Sequence, residues 1–108
     1  MEEKFEVTYI EDIYEDFLEA NLSESGVIKI KEKMDFIGLA PYRRTEQIEN
    51  WNDPNLRKTR FGDYRMFMNI DNGMFTITCL SLIHRNKAYS KQNKKKVFSI
   101  LNKMRINK

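Results

Sequence analysis

The chain has 108 residues, of which 41% are hydrophobic and 12% are aromatic, and this composition indicates one folded domain over residues 1–108. A mean hydropathy of −0.66 and the lack of a long apolar run exclude a membrane-spanning helix. The start of the chain, Met1–Lys4, lacks the basic and apolar regions of a secretory leader, and the single cysteine, Cys79, excludes an internal disulfide. We therefore expect a cytoplasmic protein in which Cys79 is a small buried side chain.

The charge is divided unevenly along the chain. Residues 1–55 carry 14 acidic and 6 basic side chains, whereas residues 56–108 carry 2 acidic and 13 basic ones. The overall net charge of +3 therefore hides a strongly basic second half. Such an asymmetry predicts a basic surface with an anionic partner, the alternative being a solvated surface with no specific role.

The first third of the chain predicts a strand followed by two helices. Residues 5–9 alternate apolar and polar side chains, which is typical of a strand. Two apolar stripes at helical spacing follow, within residues 10–18 and 27–37, and the first has acidic residues on its outer side. Ser23 or Ser25 is a suitable N-cap for the second helix, and Gly38 followed by Pro41 ends it.

The middle of the chain predicts a polar, irregular segment and then an antiparallel sheet. Residues 41–55 form the irregular segment, and the strands that follow are expected over residues 56–61, 64–70 and 74–83. Gly62-Asp63 predicts the first tight turn. Asn72-Gly73 predicts the second, as a two-residue type I′ turn in which Asp71 pairs with Met74.

This pairing assigns side chains to the two faces of the sheet. Alternation along each strand places Arg65 on the face away from the helices, and Lys58 and Arg60 share one face of the preceding strand. By the same parity Arg85 falls on the helix-covered face, and it reaches the open face only if the strand bulges or ends near Ile83.

The last segment, from Ser90 onward, predicts an amphipathic helix. An apolar stripe at helical spacing lies opposite several lysines: Val97, Ile100, Leu101 and Met104. A helix anchored on the sheet is the simpler interpretation, and a helix that partly detaches and exchanges with a partner is the alternative.

The run from Leu56 to Tyr89 carries an ordered set of motifs. They are a basic-x-basic pair, a Gly-x-Tyr-Arg strand entry and a His-Arg…Tyr close: Lys58 and Arg60, then Gly62 to Arg65, then His84, Arg85 and Tyr89. Together with the element order, these motifs resemble the RelE/ParE toxin superfamily, and in particular its RelE branch of mRNA interferases. The resemblance implies an α+β fold with an N-terminal strand and a helical hairpin packed on a curved antiparallel sheet, followed by a C-terminal helix.

The resemblance also implies a function. Toxins of the RelE branch of type II toxin–antitoxin systems are endoribonucleases that cleave mRNA, usually on the ribosome, without a metal or another cofactor. The ribose 2′-hydroxyl attacks the adjacent phosphate. A cognate antitoxin, expected to be partly disordered, neutralises the toxin by wrapping the sheet or displacing the terminal helix. The alternatives are a ParE-like toxin that inhibits DNA gyrase and a nucleic-acid-binding protein without activity.

Residue by residue, the resemblance implies a set of catalytic roles. Arg65 and Arg85 match the two arginines that hold the scissile phosphate, a task for which the planar guanidinium is suited. Lys58 and Arg60 match the basic pair, one of which helps to activate the 2′-hydroxyl. Tyr89 matches the tyrosine that stacks on a base or assists proton transfer. Preorganised cations of this kind stabilise the charge of the transition state.

Two further residues are candidates for acid–base work. His84 carries an imidazole, which is suited to proton transfer near neutral pH, although a lone histidine at a strand end is more often structural. Glu46 lies upstream of the strands, where some members of the superfamily place a catalytic glutamate. Trp51 either stacks on a base or covers an edge of the sheet.

Overall fold

The computed structural model describes residues 4–106. Met1–Glu3, on which the expectation of no secretory leader rests, and the last two residues of the expected domain lie outside the described residues. In chain order the helices and strands are β1 (Glu6–Tyr9), α1 (Ile13–Glu19), α2 (Glu24–Ile37), α3 (Pro41–Arg44), β2 (Glu46–Gln47), β3 (Leu56–Phe61), β4 (Tyr64–Asp71), β5 (Thr76–His84) and α4 (Lys91–Ile106).

Within the described residues the strands form one sheet with the order β1-β5-β4-β3-β2. β1 runs parallel to β5, and the other neighbouring strands are antiparallel. This architecture confirms the predicted α+β fold, with an N-terminal strand, a pair of helices and a C-terminal helix around the sheet. Over residues 4–106, no helix has both the length and the apolar character required to cross a membrane.

Helices α1 and α2 cover one face of the sheet. Their apolar stripes pack on the side chains that point toward them from β4 and β5, and the buried set includes Ile13, Phe17, Met34, Ile37, Met66, Met68, Ile70, Ile77 and Cys79. The alternation of β4 therefore selects the face that the sequence predicts. Cys79 is fully buried, as expected, and burial raises the pKa of its thiol, which keeps the thiol neutral.

The two ends of α2 are set by Ser23 and Gly38. The hydroxyl of Ser23 accepts a hydrogen bond from the backbone N–H of Gly26 at 3.1 Å, so Ser23 is the N-cap of the two expected candidates. At the other end, a Cβ added to Gly38 would lie 2.9 Å from the carbonyl oxygen of Phe5. Glycine is required there because the chain before β1 approaches the helix end closely.

The segment expected to be irregular, residues 41–55, contains the short helix α3 and the short strand β2. Pro41 occupies the first turn of α3, where its missing N–H costs nothing. Arg57 of β3 then holds the segment on the sheet, because its guanidinium donates hydrogen bonds to the side chain and carbonyl oxygen of Thr45 at 3.1 and 2.8 Å. The expectation was wrong because tertiary contacts, rather than local sequence, order this segment.

Helix α4 packs on the opposite face of the sheet from α1 and α2. A second buried cluster lies beneath it, made of Ile48, Trp51, Leu56, Phe67, Leu80, Ala88, Val97 and Leu101. Trp51 packs edge-on against Phe67, with ring centroids 5.2 Å apart, and also lies beside Phe98 of α4. The indole is therefore part of the core. Of the two roles expected for Trp51, this agrees with covering the sheet rather than with stacking on a base.

A buried carboxylate connects α1, β5 and α4. Asp16 accepts a hydrogen bond from the backbone N–H of Leu82 at 3.0 Å and lies 2.9 Å from the ammonium of Lys96. The N–H of Leu82 lies beyond the part of β5 that pairs with β1, so Asp16 satisfies a donor that the sheet leaves open.

The turn between β4 and β5 differs from the predicted two-residue type I′ turn. Asp71 pairs with Thr76 rather than with Met74, and the positive φ of 53° falls on Phe75 rather than on Asn72 and Gly73. The carboxylate of Asp71 accepts a hydrogen bond from the N–H of Met74 at 3.0 Å, which stabilises the longer loop. The register is therefore two residues from the expected one, and a shift of two leaves the side chains of β4, and those of β5 as far as Cys79, on their predicted faces.

A β-bulge interrupts the pairing of β4 with β5. Met68 pairs with Cys79, but its neighbour Phe67 pairs with Ser81, so Leu80 is the extra residue. Beyond the bulge the alternation of β5 is reversed. Leu82 joins the core beneath α1, and Ser81 lies within 3.5 Å of Asn93 of α4. The prediction for the face of Arg85 assumed uniform alternation along β5. The bulge interrupts that alternation, so the assumption does not hold.

Candidate functional site

The pairing of β3 with β4 brings three cations to the α4 face of the sheet. Lys58 pairs with Phe67, whose side chain lies in the core beneath α4, and Arg60 pairs directly with Arg65. Like charges on directly opposed residues destabilise an antiparallel pair. A site that binds an anion gives a reason for this cost, because the anion would neutralise both guanidinium groups.

Tyr89 joins these cations through Lys58. The ammonium of Lys58 donates a hydrogen bond to the phenol oxygen of Tyr89 at 2.7 Å and lies 4.6 Å from the centre of its ring. The ring centroid of Tyr89 is also 6.1 Å from that of Phe67, while 48% of the residue remains exposed. Because the phenol oxygen accepts from Lys58, its own hydrogen is left to be donated to a bound group.

Glu46 supplies a carboxylate beside the same cations. In the short β2–β3 ladder Glu46 pairs with Lys58, and its Oε1 lies 4.0 Å from Nε of Arg60. Both members of this ion pair are largely exposed, so the pair contributes little to stability and opens easily. Glu46, Lys58, Arg60 and Tyr89 therefore form one polar cluster, which we call the basic cluster.

The side chain of Arg65 turns toward the β3–β4 turn. Its guanidinium donates hydrogen bonds to the carbonyl oxygens of Gly62 and Tyr64, both at 3.0 Å. Gly62 has a φ of 60°, a conformation that glycine adopts without strain, and it opens the tight turn that the sequence predicts. The guanidinium of Arg65 is therefore held in place by backbone acceptors.

Arg85 lies at the same turn, just beyond the end of β5. Its backbone N–H donates to the carbonyl oxygen of Asp63 at 2.7 Å, and its Nε lies 3.8 Å from the carboxylate of that residue. The bulge that the sequence analysis required is present at Leu80. Arg65 and Arg85 are therefore held by adjacent residues, Gly62 and Asp63, whereas Lys58 and Tyr89 lie farther along the sheet.

His84 points away from the basic cluster. Because of the bulge it pairs with Tyr64, and the two rings meet edge-on on the face that α1 covers, with centroids 5.3 Å apart. Its Nδ1 accepts a hydrogen bond from the backbone N–H of Asn86 at 3.2 Å. The structure thus separates His84 from the other candidate residues, and both of its contacts are structural.

A polar groove adjoins the basic cluster, and the sequence analysis did not identify it. A cavity of about 450 Å³ is lined by Glu49, Asn50, Trp51, Lys58, Tyr89, Lys91 and Lys94. The signal in the sequence was the i, i+3 spacing of Lys91 and Lys94 immediately after Tyr89. On the other side of the groove, Trp51 was noted in the sequence, but Glu49 and Asn50 gave no local signal. Among residues 4–106, no group of three or more His, Cys, Asp or Glu side chains is arranged to hold a metal ion.

Comparisons with known proteins identify the fold. No protein-family model matches the chain, and no curated protein matches it by sequence. A mutant of the E. coli toxin RelE in the free state matches with a TM-score of 0.65 and 13% identity, over 90% of this chain and 97% of that one.

Two toxin–antitoxin complexes match as well. The complex RelBE2 from Mycobacterium tuberculosis gives a TM-score of 0.63 and 19% identity, over 76% of this chain and 92% of that one. The archaeal RelE–RelB complex from Pyrococcus horikoshii OT3 gives a TM-score of 0.60 and 21% identity, over 80% of this chain and 100% of that one. The chain therefore has the RelE-like toxin fold.

Proposed function

We propose that the protein is the toxin of a type II toxin–antitoxin system and acts in the cytoplasm as a metal-independent endoribonuclease on ribosome-bound mRNA. The observation that carries the proposal is the contact of Lys58 with Tyr89, next to the opposed pair Arg60 and Arg65, on one face of a RelE-like fold. Cations and a phenol in one cluster are the groups that cleavage of a phosphodiester by its own 2′-hydroxyl requires.

The proposed reaction begins with attack of the ribose 2′-oxygen on the neighbouring phosphorus. As the new bond forms, the bond from phosphorus to the 5′-oxygen of the next nucleotide breaks, which leaves a 2′,3′-cyclic phosphate and a 5′-hydroxyl. Negative charge gathers on the phosphate oxygens in the transition state. Arg60 and Arg65 stabilise that charge, since a guanidinium remains protonated and binds two oxygens at once.

Two proton transfers accompany these bond changes. We assign removal of the 2′-hydroxyl proton to Glu46, whose carboxylate lies beside Arg60 and pairs in register with Lys58. We assign protonation of the leaving 5′-oxygen to Tyr89, whose hydrogen is free because its oxygen accepts from Lys58. The ammonium of Lys58 then stabilises the phenolate that remains.

Arg85 is proposed as a second phosphate-binding arginine. Its ion pair with Asp63 is exposed on both sides, with 60% and 67% of the two side chains accessible, so releasing it costs little free energy. The guanidinium starts from the same turn that holds Arg65, and a phosphate between them would receive charge from both.

A cognate antitoxin is the proposed protein partner. Two of the similar structures are complexes of a toxin with its antitoxin, and the present chain shares their fold. We expect an antitoxin that is partly disordered alone and that folds over the basic face, because it would have to cover an open, charged surface.

The test is cleavage of ribosome-bound mRNA by the purified protein. Arg65→Ala is expected to lower the rate by a factor of about 10² or more, the usual effect of removing one transition-state charge contact. Lys103→Ala, on the exposed side of α4, is the control and should cleave as the unchanged protein does. The products should end in a 2′,3′-cyclic phosphate. Full cleavage by Arg65→Ala would contradict its assignment.

A second measurement separates the alternatives. If the protein inhibits DNA supercoiling by gyrase and leaves RNA intact, the ParE-like function replaces the one proposed. If RNA binding depends strongly on salt but no product forms on the ribosome, the protein is a nucleic-acid-binding protein without this activity.

A further inference from the structure

The polar groove that adjoins the basic cluster shares two residues with it. Lys58 and Tyr89 belong to both, and the groove continues from them to Lys91 and Lys94 in the first turns of α4. We call it the lysine groove. Its volume of about 450 Å³ lies within the range of sites that hold one small molecule or one unit of a polymer. A ligand that lies in the basic cluster therefore has a continuous path into the groove.

The charge of the groove favours an anion. Three ammonium groups line it, from Lys58, Lys91 and Lys94, while Glu49 is the acid among its described lining residues. Lysines in the first turn of a helix also oppose the positive end of its dipole, and α4 has no acidic residue in that turn to offset them. A bound anion would compensate for the repulsion among the ammonium groups and for their unfavourable position at the start of the helix.

The shape of the groove selects the kind of anion. Tyr89 offers a half-exposed ring at the point where the groove meets the basic cluster, and an aromatic ring beside a positively charged groove is the arrangement that binds single strands. The ring of Trp51, by contrast, is buried, so it forms part of the wall and leaves Tyr89 as the stacking surface.

We propose that the lysine groove binds the backbone of single-stranded RNA beside the scissile phosphate, with Lys91 and Lys94 on phosphates that are not cut. The inference rests on the proposed function, since it places the cut phosphate in the basic cluster. It adds a consequence: recognition extends to at least one nucleotide beyond the cleaved bond, and α4 takes part in it.

The experiment measures binding of a fluorescent single-stranded hexaribonucleotide with 2′-O-methyl riboses, which cannot be cut because no 2′-hydroxyl is free. The double variant Lys91→Gln/Lys94→Gln is compared with Lys95→Gln/Lys103→Gln, which removes the same charge from α4 outside the groove. The first is expected to weaken binding about tenfold and to lower the slope of log K against log salt by about 1.4, as for two lost phosphate contacts.

The control pair should change the affinity by less than about twofold, since its charges are screened from the bound strand. A third variant, Glu49→Gln, removes the acid from the groove and is expected to tighten binding about twofold. These are surface positions, and equal urea midpoints for all variants establish that the fold is unchanged.

Equal losses in the two double variants would overturn the proposal, because the lysines would then act only through net charge. It would also be overturned if Lys91→Gln/Lys94→Gln bound the RNA normally but no longer bound polyglutamate, since the groove would then serve an acidic polypeptide.

Cleavage of ribosome-bound mRNA is assayed separately. If the unchanged protein cuts no RNA but the groove variants weaken binding as expected, the groove stands and the proposed activity fails. If it cuts RNA and the groove variants bind as it does, the activity stands and the groove inference fails.

Discussion

A single buried hydroxyl shows how residue chemistry limits the stability of this fold. The phenol oxygen of Tyr9 is buried, and it has no hydrogen-bond partner among the described residues. Burial raises the pKa of Tyr9 well above its ordinary value, so the group stays neutral in the folded protein. A buried hydroxyl without a hydrogen-bond partner lowers the stability of the fold, whereas burial of the aromatic ring does not.

Tyr9→Phe is therefore expected to stabilise the protein by about 1 kcal/mol at pH 7, because it removes the unpaired oxygen and keeps the ring. Urea unfolding measures the change. Tyr14→Phe is the matched control, since the hydroxyl of Tyr14 is exposed and accepts a hydrogen bond from Lys31 at 3.0 Å. A loss of stability in Tyr9→Phe would show that the hydroxyl is satisfied after all.

The pH dependence of the same variant follows from the raised pKa. In the unfolded chain Tyr9 ionises near its ordinary pKa of 10.0, whereas in the fold it remains neutral to higher pH. The contribution of Tyr9 to the free energy of unfolding is therefore fully present below pH 10 and is lost as the pH rises above it. Tyr9→Phe should lose less stability between pH 9 and pH 11 than the unchanged protein does, as measured by urea unfolding at each pH.

The placement of the individual cations could be predicted, because alternation along a strand is local. The predictions for Lys58, Arg60 and Arg65 needed only a parity count, and a turn two residues longer than expected preserved it. The contacts of Glu46 with Arg60 and of Lys58 with Tyr89 were beyond such a count. They depend on how β2 and α4 return to β3, which tertiary packing decides.

Among the elements, α4 carries both structure and the proposed binding surface. Its apolar side, including Leu101, completes the second core, and Arg105 pairs with Asp53 at 3.0 Å near its end. The anchored arrangement is thus the one observed. Because Lys91 and Lys94 extend from the same helix, the geometry of the lysine groove depends on how firmly α4 is held.

Leu101→Ala is expected to destabilise the protein by about 3 kcal/mol, since it removes a fully buried side chain and leaves a cavity between α4 and the sheet. Leu18→Ala in α1 is the control, because that leucine is 77% exposed and its truncation should cost less than about 0.5 kcal/mol. Urea unfolding of the two variants gives the comparison. Equal losses would mean that α4 contributes little to the core.

At the scale of the whole molecule, the sheet separates two layers of different charge. The layer of α1 carries many acidic residues on its outer side, whereas the other layer presents the basic cluster and the lysines of α4. The net charge of the whole sequence does not describe the charge of either surface. Since screening limits electrostatic attraction to roughly 8 Å at physiological salt, an RNA strand responds to the layer that it contacts.

Reversing one charge in each layer tests this division. Arg60→Glu is expected to weaken binding of the 2′-O-methyl hexanucleotide by a factor of about 10 or more, because it places an acid in the basic cluster. Lys29→Glu makes the same change on the exposed surface of α2 and should alter binding by less than about twofold. Fluorescence anisotropy at one salt concentration compares them. Equal effects would show that net charge alone governs binding.

The general architecture could be predicted because periodicity identifies helices and strands without long-range information. α1, α2, α4 and the three long strands each had a periodic signal, and all of them are present. α3 and β2 had no periodic signal. They are held in place by hydrogen bonds from Arg57 of β3, which periodicity does not reveal. The parallel pairing of β1 with β5 brings together residues some 70 positions apart, and no local pattern specifies such a contact.

The extra residue Leu80 has a consequence for the history of this chain. Deleting that one codon would remove the bulge and join Cys79 to Ser81 with their partners unchanged, so His84 would still face α1 and Ile83 would still face α4. A relative without the bulge could therefore present the same side chains on each side of the sheet with one residue fewer. An alignment that places no gap opposite Leu80 in such a relative would assign the His-Arg motif to the wrong surface.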